Sequence, residues 1–279
     1  MQSGFAGGTW SSEGRSVLLV WGVLALLFAA VELWRRRAQP HPEWPRKLIH
    51  LGAAFVSGTF PWLFASPWSV LAVGLGAGIM LGLARKYGWI PGLFGVQRRS
   101  HGELWFLLAV FGLFCISRDR PVPYLCALIA LGLGDAAAAL GGFRFSKKSR
   151  RSWQGSLWMF GATAAAALLL LVAAGLDPGR ALGLALVVAA CATAVESVSP
   201  GSSDNLTVPL VAWALLALPK REGAAVFWGA ALAAAAVHRP RAPFHAAWVL
   251  AALLTTRASR RRARDSEPRS APAPQEGAP

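Results

Sequence analysis

The sequence predicts an all-α fold, a polytopic transmembrane helical bundle with about 8–10 spans. Hydrophobic residues make up 55% of the 279 residues and charged residues only 15%, and the mean hydropathy is +0.46. A soluble domain carries about a quarter charged residues, whereas several apolar runs here approach the roughly 20 residues that cross a bilayer. The lysines and arginines stand mostly in the short gaps between these runs, as the positive-inside rule predicts for a membrane protein.

The apolar runs predict the spans in chain order. The first run, SVLLVWGVLALLFAAVELW, lies between Arg15 and Arg35 and is interpreted as a retained helix, because a cleaved signal has a shorter core. Further spans are predicted at about 48–65, 68–84, 104–117, 121–141, 156–175, 180–198, 206–219, 223–238 and 242–256. Together they predict one integral membrane domain, residues 1–256, followed by a disordered basic tail, residues 257–279.

Alternation of the spans predicts which loops share a side of the membrane. With the first helix ending in the cytoplasm, the cytoplasmic side receives Arg35–Arg37, the Arg85–Arg99 loop, the Arg144–Arg151 loop and the loop at 199–205. The two most polar internal loops therefore fall on one face. Such loops account for most of the net charge of +15, so no nucleic-acid partner is expected, and the Arg-rich tail from Arg257 is expected to contact anionic lipid headgroups.

One carboxylate and a basic loop form the first candidate site. Asp135 follows the apolar stretch LCALIALGLG, and a carboxylate at such depth is costly and marks a functional site; the alternative is an interfacial Asp that caps a broken helix. In the loop that follows, cations and serines lead to the Gly155–Ser156 step that opens the next helix. Cations and free N–H groups at a helix N-terminus bind phosphate, and a nearby carboxylate can hold Mg²⁺. The alternative for this loop is an ordinary positive-inside connection.

Two more polar clusters stand at the ends of apolar runs. ATAVESVSPGSSDNLTVPL places Glu196 near the end of one run and Asp204 with Asn205 at the start of the next, which suits metal-phosphate binding or activation of a hydroxyl; Asp204 could instead be a helix N-cap. PEWPRKLIHLG places Arg46 and His50 on one helical face. These cations, and those of RRSHGELWF, are either interface residues or groups beside the active site.

Four motifs in order resemble the dolichol kinase and phytol kinase family, integral membrane enzymes that phosphorylate a lipid alcohol with CTP. They are RKLIHLG, HGELWF, GDAAAALGG followed by SWQGS, and ESVSPGSSDNLTVP, and the resemblance covers residues 43–219. The chain departs from the family pattern at Gln154, where the family often has Glu, and at Ser146, where it often has Gly.

The resemblance implies a role for each matched position. It predicts transfer of the γ-phosphoryl group of CTP to an isoprenoid alcohol (phytol, geranylgeraniol or a polyprenol), with Mg²⁺ as cofactor, at the cytoplasmic face of a bacterial plasma membrane. The implied catalytic residues are Asp135, Glu196, Asp204 and Asn205, with Asp135 and Asp204 as metal ligands. The implied phosphate-binding residues are Gly134, Lys147, Lys148, Arg151, Ser152, Gly155 and Ser156, and the supporting residues are Arg46, Lys47, His50 and Glu103.

Two other functions fit the same sequence. A phosphatidate cytidylyltransferase also uses CTP and Mg²⁺ with a similar layout of Asp and basic loop, but it releases pyrophosphate rather than CDP. A transporter of an anionic solute would suit charges near the membrane midplane and would consume no nucleotide.

Overall fold

The computed structural model describes residues 10–88, 102–117, 120–145 and 152–217, and in these residues it contains helices joined by turns and no strands. The predicted spans at 223–238 and 242–256 and the predicted tail lie outside the described residues. The helices are α1 (Trp10–Ala38), α2 (Glu43–Gly58), α3 (Phe60–Leu63), α4 (Pro67–Tyr87), α5 (Gly102–Ile116), α6 (Pro121–Phe145), α7 (Trp153–Ala173), α8 (Pro178–Val198) and α9 (Asp204–Ala217).

The predicted all-α membrane bundle is confirmed. In the described part of the chain, five helices are long and apolar enough to cross a membrane: Glu13–Ala38 of α1, α4, Pro121–Gly142 of α6, α7 and α8. The helices α5 and α9 are apolar but shorter, with 15 and 14 residues.

Local sequence signals fix several helix ends. The Ser66 side chain accepts a hydrogen bond from the Trp68 N–H at 3.2 Å and so caps the start of α4. Gly88 ends the same helix at φ +66°, a conformation that favours glycine. Asp177 caps α8 by accepting a hydrogen bond from the Arg180 N–H at 3.0 Å. The spans predicted at 68–84 and 180–198 therefore end within a few residues of the observed helices.

The segment predicted as one span, 48–65, is instead divided between α2 and α3. The break is at Thr59, because Pro61 has no N–H to continue the helical hydrogen bonds to the Ser57 carbonyl. The Tyr124 hydroxyl of α6 donates to that carbonyl at 3.1 Å. The helix α2 also begins at Glu43, earlier than the apolar run, so that Arg46 and Lys47 lie inside it.

The central helix is α6, which packs against α2, α5, α7, α8 and α9. Successive helices run antiparallel, so that alternate helix ends lie together at one end of the bundle, here called the polar end. These helix ends are Ala38, Glu43, Tyr87, Gly102, Phe145, Trp153, Val198 and Asp204. At the opposite end, the buried Glu13 carboxylate accepts hydrogen bonds from the backbone N–H groups of Ala65 and Ser66 at the start of α4, both at 3.2 Å.

Candidate active site

An ion pair joins α2 to α6 close to the polar end. The Lys47 ammonium contacts the Asp135 carboxylate, and the two side chains are only 12% and 20% exposed. A close approach of the two helices makes this contact possible, since a side chain at Gly132 would clash with Ala54 of α2. Asp135 is therefore one half of a buried charge pair, although the sequence shows it as an isolated carboxylate.

Arg46 brings a second cation to the same place. Its guanidinium pairs with Glu43 at 2.6 Å on its own helix, and it also lies within electrostatic range of Asp135 on α6 and of Asp204 on α9. Two adjacent residues of α2 thus place positive charge between carboxylates of two other helices. Such an arrangement can hold phosphate oxygens.

His50 lies one helical turn beyond Arg46, on the same face of α2. Its ring contacts the edge of the Phe106 ring with a centroid separation of 4.9 Å. Its Nε2 atom is buried, and within the described residues it has no hydrogen-bond partner. It is also within electrostatic range of Asp135. The predicted common face of Arg46 and His50 is confirmed, because both side chains line one cavity.

Hydrogen bonds join the loop between α8 and α9 to the helices beside it. The Ser199 hydroxyl donates to the Val195 carbonyl at 2.8 Å and lies 2.8 Å from the Thr207 hydroxyl. The Asn205 amide donates to the Gly102 carbonyl at 2.9 Å, which joins the starts of α9 and α5. A side chain at position 102 would meet that amide, so the glycine of the HGELWF motif allows this contact.

The carboxylates of Asp204 and Glu196 lie at opposite kinds of helix end, one at the start of α9 and the other at the end of α8. Asp204 is the first residue of α9 rather than the residue before it, and the helix dipole favours a negative charge there. Glu196 lies in the last turn of α8, where the dipole disfavours a negative charge, so helix electrostatics do not explain its position. Neither residue lines the cavity described below. The catalytic roles implied for both stay predictions.

The glycines and serines predicted to bind phosphate pack α6 against α7. A Cβ atom at Gly134 would lie 2.7 Å from the Thr163 hydroxyl, and one at Gly155 would lie 2.9 Å from the Ala138 carbonyl. Ser152 caps α7 by accepting the Gly155 N–H at 3.1 Å, and Ser156 is buried in the first turn. Lys147, Lys148 and Arg151 lie outside the described residues, and the predicted phosphate cradle stays a prediction.

A cavity extends from this cluster between α1, α2, α4 and α5. It has about 990 Å³ of space free of protein atoms, part of it open to the outside, and most of its lining is apolar. The polar lining residues beside the ion pair are Arg46, His50, Glu103, Asp135 and Asn205. Sequence patterns could not reveal this space, because its walls come mainly from four separate helices and its ends from others.

The carboxylates fit a magnesium ion that arrives with a nucleotide better than a resident metal. Among the described residues, no group of three or more His, Cys, Asp or Glu side chains is placed to hold a metal. Mg²⁺ is usually held by only one or two carboxylates, with substrate phosphates and waters as its other ligands. Asp135 and Asp204, both within range of Arg46, can serve as those carboxylates.

The chain is similar to a known enzyme over most of its length. A phytol kinase from Synechocystis sp. is 30% identical to it over an alignment of 204 residues, and this alignment covers 68% of this chain and 87% of that protein. No family model matches the chain, and no solved structure matches it. The matched length, together with the membrane helices and the site motifs in order, shows that the chain belongs to the phytol kinase and dolichol kinase family.

Proposed function

We propose that this protein is a CTP-dependent kinase that transfers the γ-phosphoryl group to the hydroxyl of an isoprenoid alcohol at the cytoplasmic face of the membrane. The observation that carries the proposal is an apolar cavity that, close to the polar end of the bundle, reaches the Lys47–Asp135 pair and Arg46. A lipid alcohol needs an apolar space for its tail and a charged space for the reaction. In this site the apolar cavity and the charged groups are adjacent.

The polar end supplies the groups that phosphates need. The N-termini of α2, α5, α7 and α9 all lie there, and the helix dipole gives each of them a partial positive charge. Arg46 and Lys47 add full positive charges, and Lys147, Lys148 and Arg151 belong to the short segment that connects α6 to α7 at the same end. Phosphoryl transfer depends mainly on positioning and on neutralisation of charge.

The proposed step forms one bond and breaks one. The alcohol oxygen attacks the γ-phosphorus, the bond from that phosphorus to the bridging oxygen of the β-phosphate breaks, and CDP leaves. Arg46 and Lys47 take up the charge that develops on the phosphate oxygens, and Asn205 holds the starts of α5 and α9 together around the site. When bound, Mg²⁺ would neutralise phosphate oxygens beside Asp135 and Asp204.

The distribution of charge supports a cytoplasmic site. In the described part of the chain, the helix ends at the polar end carry Arg35, Arg36, Arg37, Arg46, Lys47, Arg85 and Lys86. The opposite end has fewer described cations, at Arg15, Arg120 and Arg180. The positive-inside rule places the richer end in the cytoplasm, where nucleotides are found.

A product assay tests this proposal. Purified protein in detergent with Mg²⁺ receives either CTP or ATP and one of phytol, geranylgeraniol, a long polyprenol, diacylglycerol or phosphatidate. The proposal predicts CDP and a lipid monophosphate with CTP and an isoprenoid alcohol. Release of pyrophosphate with phosphatidate would indicate a cytidylyltransferase, and no nucleotide consumption with any acceptor would contradict an enzymatic function.

A further inference from the structure

The cavity is about as deep as one leaflet of a bilayer. Along α2 its lining extends from Arg46 to Ser57, and along α4 from Leu81 to Val70. Each stretch has 12 residues, and the 11 helical rises between its ends, at ~1.5 Å per residue, add up to about 16 Å. The hydrocarbon core of a membrane is about 30 Å thick, so the cavity spans roughly half of it. A single extended hydrocarbon tail matches this length.

The far end and the walls of the cavity are suited to a tail. Phe60 and Val70, each 2% exposed, form the deep end, and Phe60 is held by an edge contact with Phe64 at 5.2 Å between ring centroids. The walls include small residues, and a Cβ atom built at Gly74 meets nothing within 4 Å. The space beside Gly74 is therefore free for a ligand.

The near end of the cavity offers one unused polar atom. His50 Nε2 is buried, lines the cavity and has no hydrogen-bond partner within the described residues. A buried polar atom without a partner costs free energy, which a ligand group that bonds to it recovers. The neighbouring cavity wall is apolar, so the matching ligand is a long apolar molecule with one hydroxyl at its end.

We propose that the lipid alcohol lies in this cavity with its hydroxyl on His50 Nε2 beside Asp135 and its tail directed toward Phe60. This inference rests on the proposed kinase function. As the oxygen–phosphorus bond forms and CDP leaves, the hydroxyl proton passes to Nε2, so His50 is the base that accepts it. Gly74 is a specificity-determining position, because its missing side chain leaves the space that the tail occupies.

A pair of glycine substitutions on α4 tests the position of the tail. Gly74→Leu fills the cavity, whereas Gly82→Leu is a matched control: a Cβ atom there also meets nothing within 4 Å, but Gly82 does not line the cavity. The probe is radiolabelled geranylgeraniol, bound to detergent-solubilised full chain without nucleotide. Gly74→Leu should weaken binding about tenfold, the effect expected when a bound methylene or two is displaced, and Gly82→Leu should bind as the unsubstituted protein does.

A second substitution keeps the test valid if Gly74→Leu fails to fold. Ala53→Leu narrows the same cavity from α2, and it should weaken binding of the alcohol in the same way. Equal binding by Gly74→Leu, Ala53→Leu and Gly82→Leu would overturn the proposed position of the tail.

The binding readout does not require catalysis. If phosphoryl transfer occurs and these variants bind normally, the cavity inference fails and the kinase function stands; if binding follows the prediction but no phosphate is transferred, the proposed function fails.

His50→Gln tests the role of His50 in the reaction. The amide can accept a hydrogen bond from the hydroxyl but cannot take up its proton. The alcohol should bind within about threefold of its normal affinity while kcat falls about 100-fold or more, the usual contribution of a general base. A kcat equal to that of the unsubstituted protein would overturn the assignment, and so would a loss confined to the KM for CTP.

Discussion

The Lys47 ammonium pairs with the Asp135 carboxylate across the contact between α2 and α6, although the two residues are 88 positions apart in the chain. A buried ion pair is seldom the most stabilising choice, because removal of two charges from water offsets most of their attraction. The proposed function gives the pair a role, because it places an oriented ammonium beside a carboxylate at the end of an apolar cavity.

Lys47→Met should destabilise the protein by leaving Asp135 buried without its partner. Loss of one member of a buried pair costs about 3–5 kcal/mol, and a value near the lower limit is expected because the two side chains keep 12% and 20% exposure. The double variant Lys47→Met with Asp135→Asn should recover part of the loss. Thermal unfolding in detergent measures both. The control is Arg36→Ala, expected to cost less than about 1 kcal/mol, because the Arg36 side chain is 66% exposed and Glu32 keeps Arg35 as a partner. Equal stability of the single and double variants would contradict this account of the pair.

Asp135→Asn should abolish kinase activity while the protein remains folded in the membrane. The substitution keeps the shape of the side chain but removes the negative charge that faces Lys47 and Arg46. The matched control is Asp177→Asn, which alters a carboxylate at the opposite end of the bundle, where an amide can still cap α8. The readouts are initial rate and melting temperature. Normal activity of Asp135→Asn would remove this residue from the site.

Replacement of Lys147 and Lys148 by Ala should weaken nucleotide binding more than lipid binding. A hydrogen bond to a charged group contributes about 1.5–3 kcal/mol, so the KM for CTP should rise about tenfold or more while the KM for the alcohol stays constant. Arg36→Ala with Arg37→Ala is the charge-matched control, since it removes two exposed cations from the polar end. An increase confined to the KM for the alcohol would contradict the proposed phosphate cradle.

Topology can be tested with single cysteines at Ser149, Asp177 and Ser202 in a chain that lacks its three native cysteines. The helices α7 and α8 separate the first and third positions, and Asp177 lies in the turn between them. A membrane-impermeant thiol reagent applied to intact cells should label only the cysteine at position 177. Labelling at 149 or 202 with protection at 177 would place the site outside the cell and rule out a cytoplasmic kinase.

Helices with strong local signals could be predicted from the sequence. Pro178 after Asp177 fixes the start of α8, and the span predicted at 121–141 begins at the residue where α6 begins. The span predicted at 48–65 was wrong as one continuous helix and began too late, because hydropathy does not register the break that Pro61 imposes or the polar first turns of α2.

Several residues of the candidate site could be identified from the sequence, but the contacts between them could not. Asp135, Arg46 and His50 were visible as polar residues next to apolar runs, yet the partner of Asp135 could not be predicted because it depends on how closely Gly132 lets α2 approach. The cavity was invisible for a similar reason, since its walls come from four helices and each wall is an ordinary apolar face. Tertiary packing, rather than local pattern, creates both features.

Transfer of a labelled phosphate from CTP tests the central claim most directly. Purified protein with Mg²⁺ and geranylgeraniol or phytol receives CTP that carries radioactive phosphorus at either the γ or the α position. The account predicts that the γ label moves into an organic-soluble lipid monophosphate, that the α label stays in CDP, and that Asp135→Asn transfers neither. Movement of the α label into lipid, or no movement of either label with the unsubstituted protein, would contradict it.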